Sequence, residues 1–457
     1  MRRYLWLALP LAAALVAGCG GAAMGPTAMG GQAAEPHIAG EAFAPALQPT
    51  GYAQAQTTQW KGRPALELSN GLVRVVAVPK LGGRVVSYRL GDYDYLWLDK
   101  ALSSGQGAAP TAGDWGGDWV VPVSEQEPGG LPAATLPAAL AGEWTGQVTT
   151  PRGLFAEVKL TSPEDKAGSG VQLTRVLRLY TGSTRLQITD SLTNLTDQPL
   201  TRGLRTVTQM VGVRGSGRPE GEVRAYLPLA PGDEGQGYSS LLPGGDSQYS
   251  AQDHLLQVAY SGYAGKVGAP DPKGWVACAE TGGNYTFVRR FATGALGQNP
   301  DQGAQAEVYT APWDDARGGY VALETLSPLR GVKPGESLSF AQNWYATVAP
   351  GPIVDAVEYA AFSQPPTLTR EGDGFRLKGV LGVFAAGTLS VSVLDASGQP
   401  LGDPSLLQVS PATPVTLDQL LRGGLGASAV RLSLQNSNGT PLADLAQVPA
   451  PGLEATG

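Results

Sequence analysis

Short runs of apolar residues that alternate with polar ones, each closed by a turn, dominate the chain from about Trp60 onward. A side chain on an extended strand repeats its direction every second residue, so this pattern specifies half-buried strands and excludes a helical core. Gly83-Arg84-Val85-Val86-Ser87-Tyr88-Arg89-Leu90 alternates and ends at Gly91-Asp92. Val171–Tyr180 and Thr184–Leu192 flank Thr181-Gly182-Ser183, the signature of a hairpin. Further runs follow at Leu72–Val78, Leu204–Val213, Leu255–Tyr260, Trp275–Ala279, Tyr285–Arg289, Glu307–Thr310, Gly319–Leu326 and Ser337–Val348. The 63 glycines and 36 prolines are spread without a triplet period, so they serve turns and not a collagen helix. The reading is all-β, with a large antiparallel β-sandwich over 60–350.

A linker at 351–366 follows, with a short helix over Val354–Phe362 and the stop Ser363-Gln364-Pro365-Pro366. Beyond it, Thr388–Leu394 and Ala429–Gln435 alternate cleanly. Residues 367–457 therefore read as a small β-sandwich accessory domain, which packs, spaces or docks an envelope protein partner.

The amino end is an address. Arg2 and Arg3 precede the apolar run Leu5–Val16, which is too short to span a bilayer. Leu15-Val16-Ala17-Gly18-Cys19 resembles the bacterial lipobox. The resemblance implies a signal peptide over 1–18, lipidation of the Cys19 thiol and anchoring in the cell envelope. Gly20, where no acidic retention residue stands, points to the outer membrane. Residues 19–59 are rich in Gly, Ala, Pro and Gln and read as a flexible tether.

Charge and rare residues remove several functions. The net charge of −7 and the lack of a long basic patch argue against a nucleic-acid partner. Two cysteines exclude a disulfide scaffold; Cys278, in Trp275-Val276-Ala277-Cys278-Ala279, reads as a small buried hydrophobe. The two histidines, His37 in the tether and His254 at a strand edge, rule out chemistry that needs a histidine pair. No metal-ligand run and no cofactor fingerprint is present.

Three stretches of the larger domain resemble the galactose mutarotase-like superfamily, most closely its uncharacterised branch DUF4380. The first runs from Asn70-Gly71-Leu72-Val73-Arg74 to Pro79-Lys80-Leu81-Gly82-Gly83-Arg84. The second is Gly116-Gly117-Asp118-Trp119-Val120-Val121-Pro122. The third joins Tyr309-Thr310, Leu323-Glu324-Thr325 and the turn Lys333-Pro334-Gly335-Glu336. Asn194–Pro199 fits an Asn–Pro turn of the same fold. The resemblance implies a carbohydrate ligand held in a cleft on a concave sheet, where ring faces stack on aromatics and polar groups fix hydroxyls. Arg84, Trp115, Asp118, Trp119, Gln209 and Trp313 are the candidate sugar-binding residues. Packing is the alternative for the tryptophans, and a solvated turn for Asp118.

In aldose epimerases a glutamate base works with a histidine acid and a second, assisting histidine. Glu324 matches the glutamate and is the candidate catalytic residue. Neither histidine is present: Gly203–Gln209 holds none, and Trp115 stands where the assisting one is expected. Arg205 cannot replace the acid, because a guanidinium keeps its proton. Three functions remain open. The leading one is an envelope lipoprotein that binds carbohydrate without two-histidine chemistry. The second is a carbohydrate-active enzyme, an epimerase, lyase or hydrolase, that uses Glu324 with another carboxylate. The third is a structural envelope component.

Overall fold

The computed structural model describes residues 47–100, 115–125, 142–213, 217–230, 237–270, 273–294, 298–422 and 426–451. The signal peptide, Cys19, His37 and most of the tether lie outside these residues. Among the described residues the chain is built almost wholly from antiparallel strands.

Two sheets face each other. At the centre of the first, five strands lie side by side: Gly265–Ala269, Ala306–Thr310, Tyr320–Leu326, Leu200–Val211 and Gly117–Val123. Arg84–Leu90, Val73–Val78, Arg63–Ser69 and Ala53–Trp60 continue it. The second sheet includes, in order, Val223–Pro228, Trp275–Glu280, Tyr285–Phe291, Ser337–Val348, Leu186–Asn194, Val171–Tyr180 and Phe155–Thr161. The hairpin read around Thr181–Ser183 is present, with Leu179 opposite Leu186. Val75, Tyr88, Val120, Leu177, Ile188, Phe287 and Trp344 belong to the one core between the sheets.

Burial along each strand reports what covers its outer face. Val171–Tyr180 and Leu186–Asn194 alternate strictly between buried and half-buried residues, so water covers their far side. Trp275–Glu280 is buried at every position. There the small sandwich covers the far side, with Tyr226, Trp275, Tyr345, Ile353, Ala361 and Phe384 in one apolar cluster. The Phe384 ring stacks on Tyr345 at 4.5 Å, and its carbonyl accepts a hydrogen bond of 2.8 Å from the Thr184 N–H.

The small sandwich pairs two four-stranded sheets. Its core includes Phe362, Leu377, Leu389, Leu417, Leu432 and Leu434. No helix forms over Val354–Phe362. Asp355–Ala356 pairs with the start of a long strand, Ala360–Glu371. Pro365 and Pro366 sit inside that strand, where its register to Gly374–Val383 shifts between Gln364 and Thr367. A proline gives no ladder donor, and an irregular stretch without a second neighbouring strand needs none.

Cys278 is buried, and burial pushes its thiol up to about 12. His254 is exposed in a tight turn at φ 60°.

Truncating Phe384 to Ala empties the centre of the contact between the two sandwiches. A loss of about 3–5 kcal/mol is expected by urea denaturation, as for other buried Phe→Ala changes.

Candidate functional site

Strand register sorts the larger sheet into two faces. Asp118 stands opposite Thr208, and Thr206 opposite Thr325. All four point inward, where they meet arginines of the second sheet. Arg175 pairs with Asp118 and, at 2.7 Å, with Asp190. Arg289 lies 3.3 Å from Asp118 Oδ2 and donates to Thr206 and Thr325 Oγ1 at 3.2 and 3.1 Å. Thr208 donates to Asp118 Oδ2 at 2.7 Å. Two aspartates therefore face two arginines, all fully buried. Burial brings the Arg289 guanidinium down to about 10. Asp118 was expected to meet ligand hydroxyls; the structure turns it into the sandwich interior and saturates it there.

Alternation then places the neighbouring residues on the outer face. Trp119 stands opposite Val207, Val207 opposite Glu324, and Glu324 opposite Glu307. One row thus crosses four strands. Gln209, Ala322, Tyr309 and Lys266 form the next row. Arg84 lies against this face, its guanidinium 5.4 Å from the Trp119 ring and 5.5 Å from Trp115. Five of the expected residues, Arg84, Trp115, Trp119, Gln209 and Glu324, are thereby brought together. Trp313 is on a loop at the rim, its indole N–H donating to Asp315 at 2.8 Å. Trp97 and Tyr320 pack at 4.6 Å on the same side.

Glutamates directly opposite each other on paired strands repel. Here Glu307 and Glu324 do so in a dry pocket, and cations from the flanking strands answer them. Lys266 Nζ lies 2.6 Å from Glu307 Oε2 and 3.0 Å from Glu324 Oε2. Arg205 Nε lies 3.5 Å from Glu324 Oε2, and Arg205 also pairs with Asp301. The cluster holds three carboxyls and two cations. Burying all five ionised leaves one negative charge in excess, so a shared proton relieves it. Burial raises the Glu307 carboxyl to about 8 against the pull of Lys266 and Arg205. Burial also works to raise Glu324, but Lys266 and then Arg205 outweigh it and hold that carboxyl below its ordinary value. Glu307 is thus the acid and Glu324 the carboxylate, in contact with each other. Glu307 is fully enclosed, while Glu324 keeps 7% of its surface open.

The two carboxyls stand side by side, bridged by one ammonium. They do not flank a gap in which a glycosidic bond and a water would fit. Among the described residues no group of three or more His, Cys, Asp or Glu is arranged to hold a metal ion.

Lys266, Glu307 and Asp301 were not singled out from the sequence. Glu307 had a readable signal: it lies two residues before Tyr309, so it shares that residue's face of the strand. Lys266 and Asp301 had none, because their contacts join segments far apart in the chain. Gly268 faces Glu307 across the ladder, and a Cβ there would stand 2.7 Å from Ala304 Cβ and 3.3 Å from Glu307 Cγ.

No family model matches the chain, and no curated protein matches it. Among solved structures it is similar to the Slr1438 protein of Synechocystis sp. PCC 6803, at 15% identity over 62% of this chain and 96% of that one, with a TM-score of 0.40. It is similar to a galactose mutarotase-like protein of Clostridium acetobutylicum, at 12% identity over 64% of this chain and 98% of that one, with a TM-score of 0.41. A galactose mutarotase-like protein of Lactobacillus casei matches at 11% identity over 62% and 99%, with a TM-score of 0.39.

Two outcomes are expected. Asp118→Ala leaves two buried arginines short of a partner and costs about 3–5 kcal/mol in denaturant titrations. Glu307 sets a pH dependence whose sign is fixed: folded, it keeps its proton to about pH 8, whereas the unfolded chain releases it near 4.5. Between those values folding takes up a proton, so stability falls as pH rises and levels off above about 8. Thermal unfolding of Glu307→Gln, scanned across that window, should lack this slope.

Proposed function

We propose that the chain is an exported lipoprotein, anchored in the outer membrane through Cys19, that binds carbohydrate on the outer face of its larger sandwich without epimerase chemistry of the two-histidine kind. The sequence resemblance to galactose mutarotase-like proteins supplies the ligand class. The lipobox-like segment supplies the anchor.

The observation that carries the choice of binding over catalysis is the state of Glu324. A general base works best when it titrates near the working pH. Glu324 is held well below that by Lys266 and Arg205. A carboxylate so fixed is a poor base and a good acceptor of hydroxyl hydrogen bonds. The neighbouring acid, Glu307, has no exposed surface from which to reach a ligand. Half-buried Trp115 and Trp313 provide ring faces at the open rim.

The test uses the full-length protein in detergent micelles. Calorimetric titration with a panel of neutral sugars should show binding, weakened about 10-fold or more by Glu324→Gln, the cost of one charge-assisted hydrogen bond. Polarimetry on freshly dissolved α-anomers should show exchange at the uncatalysed rate. Accelerated exchange that disappears in Glu324→Gln would make the protein an epimerase and overturn the binding reading.

A further inference from the structure

Beyond Arg205 the outer face runs into a cleft of about 550 Å³, lined by polar groups that include Thr201, Asn299, Asp301 and Gln302. Its size falls within the range of small-molecule sites. Three features of this cleft point to a ligand.

The first is an unmet hydrogen-bond acceptor. Asn299 is buried, its amide nitrogen donates to the Leu326 carbonyl at 3.0 Å, and its Oδ1 has no hydrogen-bond partner among the described residues. An enclosed acceptor without a donor costs about 1–3 kcal/mol. A ligand hydroxyl that displaces the groups covering Oδ1 would supply that donor.

The second is continuity with the Glu324 cluster. Asp301 lines the cleft and holds Arg205, which reaches Glu324. Asp301 and Gln302 keep left-handed backbone, φ 54° and 61°, which non-glycine residues seldom adopt. Thr201 precedes Arg205 by four residues on one strand, so it is roughly 13 Å away on the same face. The face from Arg205 to the Thr201 end of the cleft therefore has room for more than one sugar ring.

The third is charge. Three charged residues line the cleft: Asp301 is neutralised by its pairing with Arg205, and Glu125 and Arg330 carry opposite signs; Thr201, Gln298, Asn299 and Gln302 supply the hydroxyl and amide groups. A neutral ligand meets no net field there, whereas a uronate or sulfated sugar gains nothing from it.

We propose that this cleft is an extension subsite for a neutral sugar unit, and that the ligand of the outer face is an oligosaccharide that reaches from Glu324 past Asn299 toward Thr201. The inference rests on the carbohydrate-binding reading above and adds the length and charge of the ligand.

Gly331 gives a clean way to test it. It lines the cleft, and a Cβ placed on it meets nothing within 4 Å. Gly331→Trp should therefore block the cleft without disturbing the fold, which an unchanged melting temperature verifies. Calorimetry on the full-length protein in micelles would compare glucose and N-acetylglucosamine with maltotetraose, cellotetraose, chitotetraose and tetragalacturonate. The expected result is that a neutral tetrasaccharide binds at least 10-fold tighter than its monosaccharide. Gly331→Trp should erase that gain and leave monosaccharide affinity within twofold. Gln302→Gly, which removes a lining amide and relieves the backbone, should reduce the gain without lowering the melting temperature. Equal affinity for short and long sugars, a gain that survives Gly331→Trp, or tightest binding of tetragalacturonate would each overturn the subsite and leave the binding reading standing. No heat from any of the six would overturn both.

Discussion

The inward turn of Asp118 fixes everything on the other side of its strand. A strand shifted by one residue exchanges its two faces. If Gly117–Val123 slipped, Asp118 would leave Arg175 and Arg289 with Asp190 as their one remaining carboxylate in that network, and Trp119 would turn inward. Replacing the whole ion network by apolar residues could match its stability, but removing one member cannot, because a buried charge is then uncompensated. The network therefore acts as a register lock. Trp119, Gln209 and Glu324 owe their common outer face to aspartate–arginine contacts that never meet a ligand.

The outer face follows the opposite logic. Between the sheets, charges balance two against two. On the outside, two glutamates oppose each other, and with Asp301 the carboxyls outnumber Lys266 and Arg205 by one. That imbalance divides the carboxyls into one that keeps a proton and one that does not. The contacts that stabilise the charge of Glu324 also lower its basicity.

Much of this was legible in the sequence because it depends on local periodicity. Alternation along Val171–Tyr180 and the turn at Thr181–Ser183 predict the hairpin that forms. The missing histidines could be read directly. Alternation does not say which face is which: Asp118 and Trp119 are neighbours, and only the distant Arg175 and Arg289 decide that the carboxylate goes inward. The same holds for Lys266 and Asp301, whose partners lie across several strands. Val354–Phe362 misled for a related reason. Its spacing suits a helix, but pairing of Asp355–Ala356 with Phe362 and Ala361 wins once the small sandwich is in place.

The small sandwich covers Trp275, Tyr226 and Tyr345 on the far side of the second sheet, remote in register from Glu324. A premature stop or a proteolytic cut near Pro350 would bare that aromatic surface all at once. Chaperones and proteases would then treat the remainder as unfolded, although its outer-face residues around Glu324 were intact. The two sandwiches thus share one apolar seam, and a recombination event that removed the small one would have to replace the aromatic surface it covers.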